Sequence, residues 1–407
     1  MPFSSPAKNK VPEGHTSEPP AMYNWLPTPI MQHSCGHNFL NAVTCLNFLD
    51  YHTAQQPDSS LEMGLSSVTQ TVLVTTVVTA VTVVGAFIYK KWKQVKIPSN
   101  WERVGSVKKL HLYPLKSGHR VELQRAEVTE VGIKQTQDDE KAFQLRDRVL
   151  VVYGAKDNEF RTARTYPKMV FIDVSVHDEN HFAIDAPTMR TLYVKIPSRE
   201  DSKVANVKWW QDERVQAIDC GDEAASWFSR YIIERDSGLR LGYNDASQKR
   251  DITKAHAKLL DYYKNLSNKS TGLFADLTSV SLVNQHSVND LNKRVGNSDI
   301  TVEQFRHNIV VDGPDLQPYD EDTWDWIKIG DNVILRNVKD CTRCILTTID
   351  PENGIRHPDR EPLKTLEQYR KHSGPEKSPR LGNNLEVTRT GFISIGDPVY
   401  IARYETK

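Results

Sequence analysis

The densest concentration of reactive groups in the chain is Cys341-Thr342-Arg343-Cys344, running into Ile345-Leu346-Thr347-Thr348-Ile349. A Cys-x-x-Cys pair has three common chemical uses: half of a zinc site, a redox dithiol, or one soft thiolate ligand for a redox metal or metal cofactor. A zinc site needs a second ligand pair, and the rest of the soluble part carries no second Cys-x-x-Cys. A redox dithiol normally opens a helix after a strand, whereas the β-branched residues after Cys344 predict a strand. A single thiolate ligand therefore stands open beside the plainer alternative, two buried thiols packing as small hydrophobes. Arg343 between the two sulfurs favours a thiolate on a neighbour.

Three further groups could hold an anion. Tyr113-Pro114-Leu115-Lys116-Ser117-Gly118 places an ammonium and a hydroxyl at a strand end, with a glycine that admits close backbone approach. Phe305-Arg306-His307-Asn308 puts an arginine and an amide at alternate positions, which share a face if the chain is extended. Arg146-Asp147-Arg148 enters another strand. Each reads equally as phosphate or heterocycle binding and as a surface pair. His33, Cys35 and His37 lie close together, but with no second ligand pair nearby they read as chance.

The elements that must position these groups are mostly strands. Val107, Leu110 and Leu112 open one, and Val149–Tyr153, Met169–Val176, Leu192–Ile196, Ser279–Val283 and Asn308–Val311 are β-branched or aromatic runs bounded by turn residues. Ala225, Phe228, Tyr231 and Ile232 fall on one face of a helix after Cys220-Gly221-Asp222. A polar stretch from Leu241 to Gly272 is a connection or a helix around Ala255–Lys264. Ser287 starts a helix, with Asp290 completing a capping box, and another helix follows Pro362. Two Ile-Gly-Asp phrases, at Ile329 and Ile395, are turn signals between apolar strands. Many short strands with few helices predict a closed or nearly closed β-barrel.

With 407 residues, 38% hydrophobic and 26% charged, the chain is neither a polytopic membrane protein nor wholly disordered. Lys+Arg and Asp+Glu both total 52, so no basic excess points to nucleic acid. Five cysteines argue against a disulfide scaffold and fit a reducing compartment. From Met63 to Tyr89 no side chain is charged, and residues 71–89 are long enough to cross a bilayer as a helix. Lys90, Lys91, Lys93 and Lys96 follow it, which places the remainder on the cytosolic side. The first arginine is Arg103, so no Arg-rich presequence leads the chain. The expected organisation is a low-complexity segment (1–67), a transmembrane signal-anchor helix (68–90), a basic linker (91–102), a β-rich region (103–240), a polar connection (241–272) and a β-barrel (273–405).

Taken together, the phrases from about Trp101 to Arg403 resemble the amidoxime-reducing component family of the MOSC domain superfamily. The resemblance is carried by Val104-Gly-Ser-Val-Lys-Lys-Leu110, Tyr113-Pro-Leu-Lys-Ser117, Leu145-Arg-Asp-Arg148, Thr162-Ala-Arg164, Asp219-Cys-Gly-Asp222, Asp290-Leu-Asn292, Phe305-Arg-His-Asn-Ile-Val310, Glu321-Asp-Thr-Trp324, Cys341-Thr-Arg-Cys-Ile-Leu-Thr-Thr348 and Ile395-Gly-Asp-Pro-Val-Tyr400. It implies a mainly β fold with α/β elements: a MOSC β-barrel, a smaller N-terminal MOSC region, and one transmembrane helix before them.

The resemblance also implies a molybdenum cofactor, molybdopterin-bound, between the two regions, with Cys344 as the metal ligand and catalytic residue. Thr342 and Arg343 would contact the cofactor, Lys116, Ser117 and Arg148 would hold its pterin and phosphate, and Thr278, Ser279, Arg306 and Asn308 would close the other side. It implies reduction of small N-hydroxylated compounds such as amidoximes and hydroxylamines. Electrons would come from NADH through cytochrome b5 reductase and cytochrome b5, and the anchor would sit in the mitochondrial outer membrane. A module that binds or carries cofactor or sulfur without turnover is the alternative. The chain departs from the family pattern at Gly118, where cysteine is frequent, at Leu277, where an acid precedes Thr-Ser and Asp276 stands one place earlier, and at His307, where proline is frequent.

Overall fold

A computed structural model describes residues 96–136, 143–296, 299–371 and 374–404, together with Thr75, Thr76, Thr79, Thr82 and Val83, all five helical. The segment 1–67 with its His33, Cys35 and His37, and the rest of the proposed span at 68–90, lie outside the described residues. Among the described residues no helix is long and apolar enough to cross a membrane.

Seven strands close on themselves: β1 (Glu102–Leu112), β2 (Val280–Asn284), β3 (Ile309–Asp312), β4 (Trp324–Ile329), β5 (Val333–Thr342), β6 (Arg380–Arg389) and β7 (Pro398–Arg403). Their order around the barrel is β1-β3-β2-β6-β5-β4-β7 and back to β1. All pairs are antiparallel except β2 with β3. The alternation predicted by β-branched runs is visible in the interior, where Leu110, Leu282, Ile309, Val311, Ile327, Leu335, Leu385, Val399 and Ile401 are all fully buried. Closure removes the exposed edges that so many short strands would otherwise present. The closing strand comes from far upstream: Leu110 sits opposite Ile309 and Val107 opposite Val311.

Between β1 and β2 the chain builds smaller sheets. One of four strands has the order Leu150–Gly154, Leu239–Tyr243, Arg214–Asp219, Val204–Lys208. Two more have three strands each, one of them pairing Arg125–Thr129 with Gly391–Ser394 from between β6 and β7. One apolar cluster runs from the barrel interior into these sheets and takes in Phe182 and Phe228. Residues 103–240 and 273–405 thus meet in three ways: through β1 in the barrel, through the pairing of Arg125–Thr129 with Gly391–Ser394, and through that cluster.

Among the described residues from 96 on, the α-helices are α1 (Asp222–Ile233), α2 (Ala257–Tyr262), α3 (Gln285–Val295) and α4 (Leu363–Tyr369). Three local expectations need correction. The first part of Met169–Val176 is a 3-10 turn, Pro167–Phe171, and the strand begins only at Asp173; proline at the first position supplies the helical φ and has no N–H to satisfy. Helix α3 begins at Asn284, whose side chain accepts from the His286 N–H, and Ser287 lies inside it, donating to Glu321 Oε2 at 2.8 Å. Ile345–Thr348 is a 3-10 turn, not a strand. Its threonines turn inward on their own backbone, Thr347 Oγ1 donating to the Cys344 carbonyl at 2.9 Å and Thr348 Oγ1 to that of Ile345 at 2.8 Å.

Candidate functional site

At one end of the barrel, β1, β5 and the loops before β2 and β3 enclose a cleft of about 290 Å³. Nine of the ten expected site residues line it: Lys116, Ser117, Arg148, Thr278, Arg306, Asn308, Thr342, Arg343 and Cys344. Ser279 is not among them, and its hydroxyl is buried without a partner. Three of the nine, Ser117, Arg148 and Arg306, have φ of 68°, 48° and 57°. Non-glycine residues enter that left-handed region at a cost, and such residues gather at sites where the surroundings fix them. Arg306 and Asn308 thus meet at the cleft through a turn, not through an extended chain.

Just beyond β1, Lys116 is pinned by its backbone N–H to the Leu150 carbonyl at 2.9 Å. Its ammonium is buried 2.7 Å from Asp276 Oδ1 and lies 4.7 Å above the Trp209 ring. Burial lowers its pKa to about 8, Asp276 opposes this, and Arg148 and Arg164 add to it. Asp276 stands at the mouth, more than half exposed in its side chain, and also accepts from the Trp210 indole at 2.8 Å. Its surroundings would raise its pKa, yet Lys116 and Arg164 carry it below the ordinary carboxylate range.

Arg148 and Arg306 both lie over the Tyr113 ring, at 4.6 Å and 4.2 Å. Burial pushes the Tyr113 phenol up to about 12 against both guanidinia. Arg148 is held by Asp147 Oδ2 and the Arg306 carbonyl. Arg306 has no carboxylate partner and its Nη2 is buried unpaired; burial lowers its pKa to about 10. Asn308 faces the cleft, but its amide is engaged by protein: Nδ2 donates to Asp147 Oδ1 at 2.9 Å and Oδ1 accepts from the Ser281 N–H at 3.1 Å. Its observed work is to hold Asp147, and through it Arg148, in place.

On the opposite wall β5 ends in Cys341 and Thr342, and Cys344 caps the 3-10 turn, both sulfurs free and half-buried. Arg343 donates through Nη1 to Cys341 Sγ at 2.8 Å and through Nη2 to the Phe305 carbonyl, leaving Nε unpaired. The arginine thus meets the first sulfur and leaves the second without it. Thr342 Oγ1 donates to Glu376 Oε1 at 3.0 Å.

Several lining residues were not expected. Arg164 stacks on Trp210 at 4.4 Å, Lys339 pairs with Glu376 Oε2 at 2.6 Å, and His256 lines the cleft from the edge of α2. Arg164 lay in plain sight in Thr162-Ala-Arg164, and Lys339 stands two positions before Cys341, the strand period. Asp276 stands one place before Leu277, where the family resemblance puts an acid, whereas Trp210 and His256 carry no local signal. Altogether six cationic side chains and two anionic ones line the cleft, which is built to attract an anion.

The chain matches the MOSC N-terminal beta barrel domain over residues 104–235 and the MOSC domain over 270–400. It is 34% identical over 314 residues to mitochondrial amidoxime-reducing component 1 of Danio rerio, covering 77% of this chain and 90% of that protein. It is 33% identical to mitochondrial amidoxime reducing component 2 of Rattus norvegicus and 32% identical to that of Homo sapiens, in each case over 74% of this chain and 84% of the relative. A barrel closed by β1, a cationic cleft at its end and matches over both halves converge: the chain belongs to the mitochondrial amidoxime-reducing component family, built from an N-terminal MOSC region and a MOSC domain.

Proposed function

We propose that the cleft holds the molybdenum cofactor, with Cys344 as its protein ligand, and that the protein reduces N-hydroxylated compounds by two electrons with release of water. The observation that carries this reading is a free half-buried thiol in a cleft where two guanidinium groups keep buried, unpaired donors at Arg306 Nη2 and Arg343 Nε. Such donors are costly unless a ligand takes them up, and guanidinium forks suit phosphate oxygens. The residues present therefore fit an anionic, sulfur-bearing group.

When bound, the cofactor would supply the two-electron redox chemistry needed to cleave the N–O bond. The chain's own residues do the rest. Arg306 and Arg148 bind its anionic end over Tyr113, and Thr278 and Ser117 offer hydroxyls at the edges of the cleft. Ser279, outside the lining, donates its backbone N–H to the Ser270 carbonyl at 2.8 Å. Lys116 holds a proton at Nζ beside Asp276, at a pKa close enough to neutrality for exchange, so it can deliver one of the two protons that the reduction consumes, the other coming from solvent. Asp276 takes the place of the acid missing at Leu277. Residues 71–89 would anchor the protein in the mitochondrial outer membrane, with the barrel facing the cytosol and electrons arriving through cytochrome b5 and its NADH-dependent reductase.

The test is metal analysis of the full chain alongside Cys344→Ser. The wild type should hold about one molybdenum per chain, and the variant should lose N-hydroxyl reduction by at least about a thousandfold, near 4 kcal/mol. Undiminished activity in Cys344→Ser overturns the ligand assignment. Molybdopterin retained by the wild type without N-hydroxyl reduction, in the presence of a competent electron donor, identifies a carrier instead.

A further inference from the structure

Away from the cleft lining, three side chains converge beside β1. His111 Nε2, one oxygen of Glu303 and one of Glu122 all lie within 4.8 Å of one another. His111 is 1% exposed, and Nε2 has no hydrogen-bond partner. Its other nitrogen faces the His307 carbonyl at 3.3 Å, and a carbonyl only accepts, so Nδ1 carries the proton. That fixes the tautomer and leaves the Nε2 lone pair directed at the two carboxylates, the arrangement found in metal-binding histidines.

From these contacts we propose that His111, Glu303 and Glu122 bind a divalent cation of the zinc type, which braces the turn carrying Arg306. The spacing agrees. Ligands on a tetrahedral ion at roughly 2.05 Å stand about 3.3 Å apart, and His111 Nε2 is 3.6 Å from Glu303 Oε1. At that separation the two make no hydrogen bond, so His111 Nε2 is left without a partner while Glu303 Oε1 accepts from Lys109. One histidine and two carboxylates leave a fourth position for water. Burial lowers the His111 pKa, which keeps the ring neutral and able to ligate.

Two cations now face the carboxylates. Lys109 Nζ is 2.7 Å from Glu303 Oε1, and Arg120 Nε is 3.0 Å from Glu122 Oε1. Both can yield. The Lys109 side chain is 41% exposed and free to turn to solvent, and Arg120 keeps Glu352 at 2.6 Å. The consequence is local. Glu303 lies in the 3-10 turn Val302–Phe305 that ends at Arg306, and His111 holds the carbonyl of the next residue. A bound ion would tie β1 to the turn that presents Arg306 to the cleft.

The experiment is equilibrium dialysis of the full-length, cofactor-loaded protein against zinc ions, with zinc and molybdenum counted together and the zinc shell read by X-ray absorption. The expected result is about one zinc per chain in a nitrogen and oxygen shell, with affinity reduced at least about tenfold in Glu122→Gln and further in His111→Gln. Because Glu122 is exposed, its variant decides the matter even if His111→Gln does not fold. No retained zinc at micromolar free ion, a sulfur shell, or unchanged affinity in Glu122→Gln overturns the site. Molybdenum content, read in the same samples, reports separately on the cleft.

Discussion

Arg250 and Arg306 are two arginines at the same end of the molecule with opposite surroundings. Arg250 is buried and every donor is taken: Nε and Nη2 by the two oxygens of Glu213 at 2.7 and 2.8 Å, Nη1 by the Ala275 carbonyl at 2.7 Å. His256 adds Nε2 to Glu213 at 3.1 Å. Arg306 has a tyrosine face, a neighbouring arginine and an unpaired Nη2. Arg250 is thus closed on the protein, fastening the 241–272 connection to the loop that carries Asp276. Arg306 is left open toward the cleft. The difference teaches that charge alone does not mark a binding residue; an unclaimed donor does.

That comparison can be broken. Replacing Arg250 with methionine strands a buried Glu213, so stability should fall by about 3–5 kcal/mol in urea unfolding. A loss near zero would show that Glu213 has another means of compensation. Glu321 offers a second buried acid, one that forms no ion pair of its own while Arg370 pairs with its neighbour Asp322. It is fully buried, and desolvation, with Asp322 beside it, pushes its pKa from 4.5 up to about 7. The folded form binds a proton that the unfolded chain releases between those values. Its contribution is therefore complete below about pH 4.5 and is lost as pH rises through about 7, a span of about 3 kcal/mol. Glu321→Gln should flatten that slope between about pH 5 and 8, and an unchanged slope would assign it elsewhere.

The other side of the comparison predicts smaller and different effects. Arg306→Met should leave unfolding stability within about 1 kcal/mol, since no carboxylate is orphaned, yet reduce retained molybdopterin about tenfold or more. Equal loss of stability and cofactor would make Arg306 structural like Arg250. The smallest effect concerns Lys116. With its pKa at about 8, the ammonium loses its charge above that value, so binding of inorganic pyrophosphate to cofactor-free protein should weaken several-fold between about pH 7 and 9. Lys116→Met should bind more weakly and show no such step.

The architecture and most of the cleft were legible because their signals are local. Many short strands with few helices pointed to the barrel, and Lys116, Arg148 and Arg306 stood in phrases that read equally as anion sites and as surface pairs until the family resemblance joined them. The misreadings are local too: Pro167 turned the start of Met169–Val176 into a 3-10 turn, and elsewhere a side chain took a partner of its own. Thr347 and Thr348 bond their own turn, so a β-branched run became a 3-10 turn. Asn284 took the cap expected at Ser287 because Ser287 is held by Glu321. Asn308 lines the cleft as expected, with its amide also engaged by Asp147 and Ser281.

By itself the sequence determined most of the segments that become strands, which side chains bring charge and sulfur, and where an uncharged run long enough to span a bilayer lies. Tertiary structure alone decided which of those charges stay open. Lys116 meets Asp276 across 160 positions and Arg148 meets the Arg306 backbone across 158, and His111 finds Glu303 only because β1 closes the barrel beside β3. Periodicity reports a residue's own element, whereas a hydrogen-bond vacancy depends on every neighbour that folding brings within 3 Å, and no window of sequence contains them.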